Sequence, residues 1–154
     1  MAQAAQLSLT IPAKTLDGID TFRKSVVDSL SDQVVSMIIQ GGVTRDEYYP
    51  GELDVNMLVV LKDVGVDILD KLVRPYQKGF KDIILDVIVR TEEQLRSLMD
   101  IFPVRFKEMQ QSHLLIWGQD VLAGLEISDH YSKLRAVQEI KNLQLRLHRI
   151  YVYI

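Results

Sequence analysis

The sequence predicts an α/β (α+β) fold with about four strands, flanking helices and one long C-terminal helix. Three observations predict it. Four short aliphatic, β-branched runs bounded by polar residues or glycine read as strands, at residues 34–39, 57–61, 83–89 and 113–117. Between them lie stretches whose apolar residues recur at three- and four-residue spacing, as one face of a helix requires. From residue 128 or 129 onward a single apolar stripe runs to the last residue.

Composition sets the outer limits. A chain of 154 residues has room for one domain with a core of its own, here residues 15–127, with a flexible lead over 1–14 and a helical appendage over 128–154. The hydrophobic share of 47% against 25% charged is that of a globular protein rather than a disordered one. A formal net charge of -3 supplies no global positive field, so nucleic acid is not an expected partner. Cysteine is absent, which excludes disulfides, thiolate zinc sites and cysteine nucleophiles. No apolar run approaches the ~20 residues of a membrane span and the start has no signal-peptide layout, so no membrane association is expected and the cytoplasm is the default compartment.

Residues 7–11 read as a short extended piece closed by Pro12. A helix is expected from about residue 17 to 30, on the recurrence of Ile19, Phe22, Val26, Val27 and Leu30, with Thr15 or Asp17 as its cap. The first strand ends at Gly41-Gly42, where a backbone without Cβ can approach a ligand closely. Residues 44–48 are compatible with a short helix, and Pro50-Gly51 marks a turn. The second strand is led by Asp54 and Asn56, two residues apart and so expected on one face of the sheet.

These residues carry a resemblance. Gly41-Gly42, then Asp54-Val55-Asn56 ahead of aliphatic residues, resembles the Gly-Ser and Asp-x-Asp signature of the nucleotidyltransferase fold shared by DNA polymerase beta and the minimal and aminoglycoside nucleotidyltransferases. Asp86, in ILDVIV, stands where that family has its third carboxylate, and the likeness covers roughly residues 17–126. The resemblance implies a mixed central sheet flanked by helices. It also implies a site in which Gly41, Gly42 and Arg45 meet the phosphates of ATP or another NTP, while Asp54, Asn56 and Asp86 occupy the catalytic positions, with Asp54 and Asp86 as the ligands of Mg²⁺. That chemistry is mostly positioning and charge compensation by the metal.

The sequence departs from the signature in three places. Asn56 offers a neutral amide oxygen where a carboxylate is expected, Gly42 lacks the hydroxyl that holds phosphate, and Leu53 makes the mouth more apolar. A unit charge pair at ~4 Å near a protein surface is worth about 4 kcal/mol, so one missing carboxylate beside a divalent ion costs several kcal/mol. A weakened or inactive member is therefore expected. The alternatives are an active Mg-dependent enzyme moving a nucleoside monophosphate to an unknown acceptor, and an antitoxin-like interaction module.

Several residues admit two readings. Arg45 either faces phosphate or pairs with Asp46 or Glu47; Tyr48 and Tyr49 either stack on a base or pack over a sheet edge. Asp86 either joins a metal face or is an exposed or ion-paired strand residue, because an unpaired buried carboxylate is costly. His113, with no second histidine nearby, reads as structural.

After the second strand, residues 66–78 form an amphipathic pattern with Ile68, Leu69, Leu72, Val73 and Tyr76 on one side, in which Pro75 is expected to kink the helix or stop it near Val73 or Arg74. Gly79 ends it. Thr91 with Gln94 is a capping box opening a helix to about Met99. Pro103 interrupts, residues 104–110 read as a further helical turn with Phe106 and Met109 inward, and the fourth strand is closed by Gly118. On the last helix, Leu134, Val137, Ile140, Leu143, Leu147, Ile150 and Tyr151 form a stripe among Lys133, Arg135, Lys141, Arg146 and Arg149. Such a stripe calls for cover by a second copy or a helical partner.

Overall fold

The computed structural model describes residues 11–45, 54–79, 83–127 and 129–153. The expected readings of Leu7, Asp46, Glu47, Tyr48, Tyr49, Pro50, Gly51 and Leu53 fall outside them.

Four strands form one mixed sheet in the order β3-β2-β1-β4, where β1 is Val34–Gln40, β2 Val55–Leu61, β3 Leu85–Arg90 and β4 His113–Gly118. The central strand β1 runs antiparallel to both β2 and β4, while β2 and β3 are parallel. Both faces of β1 and β2 are covered, which is why these strands read as almost continuous aliphatic runs rather than alternating ones.

One face packs on α1 (Ala13–Leu30) and α2 (Val66–Gly79). Phe22, Val26 and Leu30 meet Met37, Ile39, Met57, Val59 and Leu61 there. The other face packs on α3 (Glu92–Met99) and α4 (Pro103–Gln111), where Leu95, Phe106 and Met109 cover Ile38, Leu58 and Val60. The inward Phe106 and Met109 are as the spacing predicts. Alternate residues of a strand thus serve two separate cores.

The helix boundaries differ from expectation in instructive ways. α1 starts at Ala13, four residues early, because Pro12 takes the cap position with its pre-set φ of -57°. Neither Thr15 nor Asp17 caps it; Thr15 is buried in the first turn instead. Pro75 does not stop α2, which continues to Gly79 with the proline ring buried. The buried line of α2 is Leu72, Pro75 and Gly79, with Ile68 partly buried, so Leu69, Val73 and Tyr76 are left exposed. Gly79 is close-packed: a Cβ there would lie 2.7 Å from Leu85 Cδ1, a second reason for glycine at that end.

The Thr91 capping box forms as read: Gln94 N–H donates to the Thr91 hydroxyl at 3.2 Å and Thr91 N–H donates to Gln94 Oε1 at 3.1 Å. Pro103 opens α4 at its first position. The last helix, α5, is Asp129–Tyr153 and docks on the body mainly through α4. Among the described residues no helix is long and apolar enough to cross a membrane.

Candidate functional site

β1 ends at Gln40 and the chain turns through Gly41–Thr44, a single 3-10 turn. Gly41 has φ +81°, a conformation that strains any L side chain, and a Cβ there would come 3.4 Å from Asn56 Nδ2. The glycine thus lets the turn close against β2. A helix N-terminus, which would strengthen anion binding here, is not formed by this four-residue turn.

The turn is pinned from the far side. Thr44 Oγ1 lies 2.8 Å from the Gly41 carbonyl, 3.0 Å from the Ser112 carbonyl and 2.9 Å from Ser112 Oγ, and the Ser112 hydroxyl also reaches the Thr44 carbonyl at 3.2 Å. Two hydroxyls therefore tie the glycine turn to the junction of α4 and β4.

Sheet register sets the floor. Gln40 pairs with Asn56 on one side and His113 on the other, and Asn56 pairs with Asp86. Directly paired residues project from the same face. One row of four polar residues, His113, Gln40, Asn56 and Asp86, therefore crosses the whole sheet on the face that carries α3 and α4. Asp86 is exposed, and Asp54, just before β2, is exposed as well. Asn56 Nδ2 donates to the Asp54 carbonyl at 3.3 Å.

Above this floor opens a cleft of about 510 Å³, walled by α4 and the start of α5. Of the residues expected from sequence, Gly41, Gly42, Arg45 and Asn56 line it; Asp54 and Asp86 do not. Arg105 and Glu108 from α4 and Arg135 and Glu139 from α5 also line it, together with Gln40 and Ser112. Arg135 is fixed there, its Nε donating to the Ile101 carbonyl at 2.8 Å and its guanidinium lying over the Phe102 ring at 5.9 Å. Gln40 has a readable signal in the sequence, as the polar end of an aliphatic strand. Arg105 and Arg135 had none, because only the docking of distant helices brings them to the glycine turn.

Among the described residues the donor set that lines this cleft does not fit a magnesium seat. Magnesium is held by one or two carboxylates together with substrate phosphates. Here the residue of the acidic motif that lines the cleft is the neutral Asn56, and the two carboxylates stand outside the lining.

His113 is held as a structural residue. Its Nδ1 lies 2.8 Å from the Met109 carbonyl and its Nε2 lies 3.0 Å from Asp120 Oδ2. Asp120 also accepts from the Leu122 and Ala123 amides at 3.1 Å. Burial acts to raise the Asp120 pKa, but the hydrogen bond from His113, those two amides and the His113 charge outweigh it and hold the carboxyl below its ordinary 3.8.

No family model and no curated protein matches the sequence. Among solved structures, the chain is similar to a spectinomycin adenyltransferase from Enterococcus faecialis, crystallised with ATP and spectinomycin, at a TM-score of 0.61 and 11% identity over 79% of this chain. The chain has the nucleotidyltransferase fold. It spans 63% of the length of that adenyltransferase. Weaker likenesses to a toxin-antitoxin structure with AMP-PNP (TM-score 0.43, 15% identity, 86% of this chain and 93% of that one) and to a Shewanella oneidensis protein (0.38, 18%, 87% and 92%) are similarities only. The nucleotidyltransferase fold accounts for the mixed sheet, with its glycine turn next to the head of β2.

Proposed function

We propose that this is a nucleotidyltransferase-fold protein whose cleft takes a nucleotide weakly, whose transfer activity is weakened or lost, and which acts through a partner. One observation carries the reading: at the sheet position beside Asp86 and inside the cleft stands Asn56, an amide in place of a carboxylate, with its Nδ2 bonded to the Asp54 carbonyl at 3.3 Å. Gly41, Gly42 and Arg45 are the residues that would meet phosphate. Asp54 and Asp86 are the residues that a metal would use, and both lie outside the cleft lining.

Calorimetric titration with ATP and Mg²⁺, on the native chain and on Asp54→Ala, tests the reading. Weak binding little changed by the substitution supports it. Tight, metal-dependent binding abolished by Asp54→Ala would instead make the chain a working enzyme that moves a nucleoside monophosphate with Asp54, Asp86 and one metal.

The partner part of the reading rests on α5. Leu134, Val137, Ile140, Leu143, Leu147 and Ile150 are each more than half exposed. The helix carries five Lys and Arg against two acidic residues, so it is +3 while the rest of the chain is -6. Oppositely charged, self-complementary parts favour a second copy of this chain as the occupant of the stripe.

A further inference from the structure

The Gln40 side chain is 5% exposed and lines the cleft, and its Nε2 has no hydrogen-bond partner. A buried donor left unmade is costly, and an aliphatic residue would continue the strand at no such cost. The cleft lining adds further donors, the Arg45, Arg105 and Arg135 guanidiniums, against two carboxylates among the described residues, Glu108 and Glu139. Among the described residues the formal charge of this lining is therefore +1. Arg105 stands on the exposed side of α4 and makes no side-chain ion pair or hydrogen bond among the described residues.

We infer that this cleft binds the polyphosphate of its nucleotide without a metal ion, the guanidiniums and the Gln40 amide replacing magnesium as the compensation for phosphate charge. The inference rests on the proposed nucleotide-binding reading and names the chemistry of that site. Phosphate oxygens accept hydrogen bonds and carry no donor, so a lining of amide and guanidinium groups matches them. The Gly41-Gly42 turn lets the phosphates come close to the backbone above Gln40.

The test is calorimetric titration of the full chain with ATP and with inorganic pyrophosphate, each in excess EDTA and in excess Mg²⁺. Binding of both in EDTA, within about threefold of the value in Mg²⁺, is expected. Arg105→Gln, an exposed substitution, weakens it about tenfold. Gln40→Leu also weakens it about tenfold, yet raises the Tm of the free protein, because the orphan donor is gone. A merely structural Gln40 would lower the Tm and leave affinity unchanged, and that pair of results would overturn the inference. ATP binding seen with Mg²⁺ and absent in EDTA would also overturn it, leaving the nucleotide-binding reading intact. No binding in either buffer would sink both.

Discussion

Thr44 and Ser112, 68 positions apart in sequence, are joined hydroxyl to hydroxyl at 2.9 Å. This link fastens the glycine turn, at the cleft floor, to the end of α4 in its wall. Thr44→Val keeps the shape and removes the three contacts of the Thr44 hydroxyl, leaving the Gly41 and Ser112 carbonyls each short of a donor while the Ser112 hydroxyl keeps its bond to the residue 44 carbonyl. A loss of about 1–3 kcal/mol in urea unfolding is expected. Hydrogen exchange of the Gly42 to Arg45 amides should speed up with it.

Asp120 makes one loop dependent on acid. Its folded pKa lies below 3.8, so the stability that it contributes is complete above that pH and lost as pH falls from 3.8 toward the folded value. Asp120→Asn is expected to unfold at a lower temperature than the native chain at pH 7. The two curves should converge below pH 3.8. A gap that is unchanged at pH 3 would show that the carboxylate charge plays no part.

Gly118 ends β4 with φ +78°, and a Cβ there would collide with the Val35 carbonyl oxygen. Gly118→Ala combines left-handed strain with displacement of the β1 backbone, so a cost of about 2 kcal/mol or more is expected from thermal unfolding.

For α5, sedimentation equilibrium provides the check on a second copy as partner. The native chain is expected to associate in a concentration-dependent way, and Leu143→Glu with Leu147→Glu to sediment as a monomer with unchanged far-UV circular dichroism. The stripe residues touch little of the body, so these changes leave the fold alone.

Most of the architecture is legible in the sequence. The aliphatic runs at Met37 to Ile39 and Met57 to Leu61 become the buried central strands, and Thr91 with Gln94 caps α3 as its spacing dictates. The helix ends are less legible where proline acts in context. Pro12 holds the cap position of α1, its carbonyl accepting from the Leu16 amide at 3.1 Å, and Pro75 sits inside α2 with its ring buried. The site is half legible. Gly41, Gly42, Arg45 and Asn56 are local to one motif and share the cleft, whereas Arg105, Ser112 and Arg135 reach it only through tertiary docking. That Asp54 and Asp86 stand outside the lining depends on where α4 and α5 settle, which no local pattern encodes.

On the proposed reading, a neutral Asn56 deprives this cleft of a metal-dependent grip on a nucleotide. It is tested most directly by thermal unfolding in saturating ATP with and without Mg²⁺, comparing the native chain with Asn56→Asp. The native Tm should respond little to Mg²⁺. The variant, with a carboxylate beside Asp86, should gain Mg²⁺-dependent stabilisation of several degrees, matching a tenfold or greater rise in affinity. A large Mg²⁺-dependent rise in the native chain, abolished by Asp54→Ala, would contradict the account.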